Sequence, residues 1–150
     1  MYALIVDGQV KQYPYGADVL RRDNPQISFP INPADSLLAE WGVLPVAATN
    51  IPGITYRQNL AEGKPTLRNG VWTQVWVVTD ASDVEVNQRT QAQAEAVRTE
   101  RDRLLAESDW TQLKDVSEDV AQVWATYRQA LRDLSQQAGF PWAVQWPTKP

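Results

Sequence analysis

The sequence predicts an α+β fold: a small, mainly antiparallel N-terminal domain, then a C-terminal helical hairpin with an extended aromatic tail. Three observations carry that prediction. Asp7-Gly8 and Asn69-Gly70 each sit between short β-prone runs, and such pairs supply the positive φ angles of tight hairpin turns. Residues 82–108 contain no Gly or Pro and are dense in Gln, Ala, Glu, Arg and Leu, all good helix formers. Val120, Val123, Trp124, Tyr127, Leu131 and Leu134 then recur at three- and four-residue steps, the stripe of an amphipathic helix. The boundary falls at Asp80-Ala81, giving domains 1–80 and 81–150.

In the first domain, Tyr2–Val6 and Gln9–Tyr13 read as a hairpin that Pro14 ends. Asp18 can cap a short helix to Arg22, and Asn24-Pro25 breaks it. Ile27-Ser28-Phe29 reads as a brief extended piece. Asn32 as N-cap and Pro33 at the first helical position open the next helix, with Leu37, Leu38 and Trp41 on its inner face and Gly42 at its end. Val43–Val46 reads as a strand at a sheet edge, because Pro45 cannot donate to a ladder. Thr55–Leu60 is a further strand, and Thr66–Arg68 pairs with Val71–Thr79 across Asn69-Gly70. Along that last strand Trp72, Trp76 and Val78 alternate with Thr73 and Val75, and Gln74 reads as an interruption.

In the second domain, Ser82 and Glu85 form a capping-box pattern that opens a helix over about 83–108. Opposite charges recur along it at Glu95/Arg98, Arg98/Asp102, Glu100/Arg103 and Arg103/Glu107, each adding only about 0.2–0.5 kcal/mol. At about 1.5 Å per residue the helix spans roughly 39 Å. Its apolar side is thin: after Val86 only Val97, Leu104 and Leu105 are large. Such a helix either lies solvated across its own domain or completes its burial against another chain, which makes Val97 and Leu104 candidate partner contacts. Ser117 caps a second helix over about 117–136, with Glu118 and Asp119 in the first turn where the helix dipole favours acids. Trp110 and Leu113 fall in the connection. Gly139 and Pro141 stop the helix, and Pro141 and Pro147 bias the tail Phe140–Pro147 toward an extended form across the two helices.

Composition excludes several kinds of chemistry. There is no Cys and no His, so thiolate nucleophiles, disulfides, Cys- or His-ligated metals and the commonest general base are all missing. No Gly-rich phosphate loop or Gly-x-Ser-x-Gly occurs. The carboxylate clusters Asp80/Asp83/Glu85 and Asp115/Glu118/Asp119 lie at helix starts, where capping explains them. The reading is a protein with no catalytic, cofactor or metal site. A net charge of −4 and a pI of about 4.8 argue against a nucleic-acid partner. No run approaches the ~20 apolar residues of a membrane span. Ala3–Val6 ends at Asp7 without a preceding basic region, so it is not expected to be a signal peptide.

Seven Trp in 150 residues leave rings to explain. Trp41, Trp72, Trp76 and Trp124 are expected in the core. Trp142 and Trp146, in a Pro-rich tail, suit either core or interface, since Trp anchors many protein contacts.

Several blocks resemble a known family. Arg101–Leu113, Trp124–Leu134, Gly139–Trp142 and Trp146-Pro147 are similar, in order and spacing, to the C-terminal module of bacteriophage tail fibre assembly proteins, the tail assembly chaperones. Met1–Ile5, Tyr13–Tyr15, Leu20–Pro25, Ser28–Pro30 and Trp41–Val43 are similar to an N-terminal domain of phage tail-associated proteins. Lys114 and Val116 stand where that module carries a Pro-rich connection. The resemblance implies a non-enzymatic role in which the chain binds a phage tail fibre polypeptide and assists its folding or trimerisation in the host cytoplasm. Structural parts of the fibre or baseplate that stay on the virion, and a glycan-binding adhesin at the fibre tip, are the alternatives. Other tail or baseplate proteins and a second copy of this chain are further partners on that reading. The partner-binding residues it suggests are Val97, Leu104, Trp110, Phe140, Trp142 and Trp146.

Overall fold

A computed structural model describes residues 1–150, which divide into two compact units, Met1–Asp80 and Ala81–Pro150. The fold is α+β, with four helices and one five-stranded, mostly antiparallel sheet.

The first unit holds β1 (Tyr2–Val6), β2 (Gln9–Gln12), α1 (Ala17–Asp23), α2 (Asp35–Glu40), β3 (Val43–Ala47), β4 (Gln58–Arg68) and β5 (Val71–Asp80). The strand order is β2-β1-β3-β5-β4, and β3 with β5 is the one parallel pair. Both two-residue turns are tight. Asp7 and Asn69 have φ of 49°, and Gly8 and Gly70 have φ of 72° and 79°, so both central residues of each turn are left-handed as the twist of the flanking strands demands. Tyr15, Leu20, Leu38 and Val43 form the core, with Phe29 and Trp41 against it in an edge-to-face pair 5.1 Å apart.

Several expectations for this unit are corrected. Gly16, not Asp18, is the N-cap of α1. Ala34 occupies the N-cap of α2, which starts two residues later than Pro33 would set it; its first-turn Asp35 accepts a 2.8 Å hydrogen bond from the Tyr2 hydroxyl. Ile27–Phe29 pairs with nothing as a strand. Residues 58–68 form one strand, and it begins after Thr55: Lys64-Pro65 lies in a register shift between Gly63 and Thr66, where a bulge on an edge strand tolerates the missing Pro donor.

The largest correction concerns β3, which is central rather than an edge. The N–H of Val46 donates to Met1 O at 2.8 Å, on the β1 side. Successive N–H groups of a strand point to opposite sides, so the Pro45 nitrogen faces β5, whose pairing begins only at Val46↔Trp72. Nothing on that side asks Pro45 for a proton.

Gln74 is no interruption either. It is 8% exposed, the most buried residue of β5, and shares a strand face with Trp72 and Trp76. Its Nε2 donates to Glu62 Oε1 at 2.6 Å, and its Oε1 accepts from the Thr49 N–H at 3.0 Å. Tyr13 donates its hydroxyl to the same Glu62 oxygen. Burial and that carboxylate push the Tyr13 phenol up to about 12. The amide thus links β4, β5 and the loop after β3, a role that composition cannot reveal.

The second unit comprises α3 (Asp83–Glu107), a 3-10 turn at Asp109–Gln112, α4 (Glu118–Arg132) and a 3-10 turn at Asp133–Gln136. Ser82 and Glu85 close the capping box reciprocally: the Ser82 N–H donates to Glu85 Oε2 at 2.8 Å, and the Glu85 N–H to Ser82 Oγ at 3.3 Å. Ser117 is the N-cap of α4, without a side-chain bond. Tyr127, Leu131 and Leu134 form the buried core, with Leu104, Leu105, Trp124 and Val144 packed against it. The stripe on α4 therefore buries only its C-terminal part, for Val120 and Val123 stay exposed.

The tail also departs from expectation. It is not extended from Phe140: residues 138–142 form turns, closed by Phe140 N–H to Gln137 O at 3.0 Å and Ala143 N–H to Gly139 O at 2.7 Å. A Cβ on Gly139 would lie 2.4 Å from Ala143 O, so the close backbone approach requires glycine there. Beyond the turn the chain runs without helix or strand. The Gln137 side chain holds it, accepting from the Gln145 N–H at 2.7 Å and donating to Gln145 O at 2.9 Å.

Candidate functional site

The second unit's surface is assembled around one buried cation. Arg128 lies on the same side of α4 as Leu131, and is 7% exposed. Its Nη1 donates to Leu105 O and to Ser108 Oγ, each at 2.7 Å, and its Nη2 to Asp109 Oδ1 at 2.8 Å. The last carbonyls of a helix lack i+4 donors; Leu105 O accepts from the Ser108 N–H at 3.1 Å, and a guanidinium from the next helix adds a second, charged donor. Ser108, 1% exposed, also donates back toward Leu104 O and Leu105 O at 2.9 Å. Thr111 is buried beside it, with its hydroxyl donating to Ser108 O at 2.7 Å. The sequence shows Arg128 only as a basic residue late in a helix; its spacing from Leu131 and Tyr127 on the apolar stripe is the one signal that it turns inward.

With that joint closed, aromatic rings line the outside. Trp110 meets Trp124 edge to face at 5.5 Å, and Trp124 meets Tyr127 the same way at 5.6 Å. Burial raises the Tyr127 phenol, and the Glu107 carboxylate adds to it. Lys149 lies over the Trp124 ring, 5.8 Å from its centre. A groove of about 480 Å³ runs between α4 and the chain end, bounded by Val123, Thr126, Tyr127, Ala130 and Pro147–Pro150. On α3, Arg103 pairs with Glu100 at 2.6 Å and with Glu107, and the Glu100 carboxylate is held below its usual range by the Arg103 hydrogen bond. Arg98 forms neither of its expected ion pairs and sits over Phe140, 5.5 Å from the ring centre.

The six expected contact residues separate into two groups. Val97 is 5% exposed and so is not presented to a partner: with Ala94 it continues the buried stripe upstream of Leu104. Leu104 is half-buried against the Tyr127–Leu131–Leu134 core. Phe140 is half-buried beside α3, where it and Pro141 border a groove with Thr90, Gln91, Ala94 and Arg98. Trp110, 49% exposed, and Trp142 and Trp146, each 39% exposed, present ring surface to solvent. The sequence reading missed Leu113, Val120 and Val123 as exposed apolar residues, at 59%, 38% and 55%. No group of three or more His, Cys, Asp or Glu residues is placed to hold a metal ion. No helix is long and apolar enough to cross a membrane.

Residues 94–150, all within the second unit, match the model of a family described as phage tail assembly chaperone protein. The match supports a role in bacteriophage tail assembly for this chain. No curated protein and no solved structure matches it.

Proposed function

We propose that the chain binds a tail fibre polypeptide and assists its folding or trimerisation, without catalysing a reaction, a reading supported by the match of residues 94–150 to the phage tail assembly chaperone model. The observation that carries this reading is the exposed aromatic and aliphatic surface of the second unit. Trp110, Leu113, Val123, Trp142 and Trp146 are all more than one third exposed, on a framework fixed by the buried Arg128. Large apolar residues are exposed on the first unit too, Ile31 and Ile51 among them, but those named here lie within the residues that match the family model and include three Trp rings, the side chain most enriched at protein interfaces. An unassembled fibre chain presents the complementary problem, because strand edges and apolar faces lie open until its three copies pair. A partner that covers those faces suppresses aggregation until trimerisation replaces it.

Release is part of the proposal: the chain acts in the host cytoplasm and leaves. Mass spectrometry of purified virions tests this part. A released chaperone is absent from the particle, whereas presence at a fixed copy number would make the chain a structural part of the fibre or baseplate.

A further inference from the structure

Residues 147–150 lie along the apolar side of α4 but are barely fastened to it. Lys149 sits over the Trp124 ring, 5.8 Å from its centre, and no hydrogen bond or ion pair ties Pro147, Thr148, Lys149 or Pro150 to the helix. The last firm attachment before them is the pair of bonds between the Gln137 side chain and the main chain of Gln145. Between this segment and Val123, Thr126, Tyr127 and Ala130 a groove of about 480 Å³ stays open, and Val123 remains 55% exposed. Pro-Thr-Lys-Pro brings a cation to the ring, but it has no large aliphatic side chain with which to fill the groove.

We propose that residues 147–150 are a displaceable strap over a docking groove. An extended segment of the fibre polypeptide with a Leu, Ile or Val beside a Lys or Arg takes their place. Its aliphatic side chain enters the groove, and its cation replaces Lys149 on Trp124. This rests on the fibre-binding reading and adds where the segment binds and what it carries. The strap itself decides between occupants. Displacing it takes the cation off the ring, and only a segment that brings its own cation restores that contact. Filling the groove removes apolar surface from water, which the strap leaves undone. Exchange of straps between two copies of this chain forms no new contact and gives up the high effective concentration of an intramolecular one.

The test uses the full chain, a Lys149→Ala variant, a variant ending at Trp146, and short peptides with a Leu beside Lys, Ser or Glu, with binding read by calorimetry. The Lys peptide binds the full chain best. Lys149→Ala and the shortened chain each bind it roughly two- to fivefold more tightly, the gain expected when an exposed cation–π contact no longer competes. Their melting temperatures stay close to wild type, since residues 148–150 are exposed. Val123→Asp, at an exposed position lining the groove, abolishes binding in the full and the shortened chain alike. Binding that weakens or is unchanged when the strap is loosened would overturn the proposal. So would equal affinity for the three peptides, no binding of any, or sedimentation showing that the shortened chain dimerises. Co-expression with the fibre polypeptide separates the two levels of the reading. Strap-dependent, Lys-selective peptide binding without rescue of soluble fibre contradicts the fibre assignment alone. Rescue that survives Val123→Asp removes the groove and leaves fibre binding standing.

Discussion

Arg128 on α4 donates to the main-chain oxygen of Leu105 on α3 at 2.7 Å, so the second helix adds a charged donor at the end of the first. The same guanidinium reaches Ser108 and Asp109, and the geometry of the whole connection follows from it. Arg128→Ala removes these three contacts; Leu105 O keeps the Ser108 N–H and Ser108 keeps its own donor bond to the helix end, so the expected cost is that of hydrogen bonds to a charged group, about 1.5–3 kcal/mol. Arg128→Lys restores the charge but not the fork of donors, and recovers only part of the loss. Urea unfolding of both variants, followed by far-UV circular dichroism, checks this; equal stability of wild type and Arg128→Ala would show that the contacts contribute nothing.

Trp110 contributes less to folding than its size suggests. Half of it faces solvent, and its principal packing is the edge-to-face contact with Trp124. Trp110→Ala is expected to cost about 0.5–1.5 kcal/mol, the scale of such a ring pair. Leu131→Ala, at a fully buried core position, is expected to cost about 2–5 kcal/mol. Denaturant midpoints of the two variants rank them, and a larger loss for Trp110→Ala would place its ring in the core.

Alkaline pH weakens the first unit through Tyr13. Its folded pKa is about 12 against an ordinary value of 10.0, so in the folded state it holds a proton that the unfolded chain gives up first. The folded state binds more protons across that interval, and stability therefore falls as pH rises from 10 to 12, while below 10 the contribution is complete. Tyr2 and Tyr15 are raised as well and act with the same sign. Tyr13→Phe flattens the decline without abolishing it, which unfolding measured below and within that interval can follow. A decline as steep in Tyr13→Phe as in wild type would remove Tyr13 as a source.

Gly139→Ala places a methyl group 2.4 Å from Ala143 O. The turn must shift, and overpacking of this kind costs about 1–3 kcal/mol. Since that turn sets the position of Phe140 and Pro141, the tail is expected to loosen before the helices do. Hydrogen exchange at the amides of Ala143 and Gln145 reads it out: faster exchange there than in α4 is predicted, and unchanged protection would contradict the tight turn.

What could be read from the sequence was local. Asn69-Gly70, Ser82 with Glu85, and the Tyr127–Leu131–Leu134 spacing each depend on residues within a few positions, and each occurs as expected. The failures depend on partners far along the chain. Pro45 argued for an edge strand, yet its tolerance in the centre is set by Met1 on one side and by where β5 begins on the other. Gln74 was polar in an apolar strand until Glu62 and Thr49 supplied its bonds. For the contact surface, the thin stripe of α3 misled. Val97 is closed within the chain, while Val120 and Val123 at the start of α4, whose periodicity read as core, are exposed.

Co-expression of this chain with a tail fibre polypeptide, scored as the yield of soluble fibre trimer by size exclusion, tests the central claim most directly. Wild-type chain is predicted to raise that yield, and a Trp142→Ala, Trp146→Ala double variant, folded as wild type by circular dichroism, to raise it far less. A trimer yield that is the same with and without the chain would contradict the account.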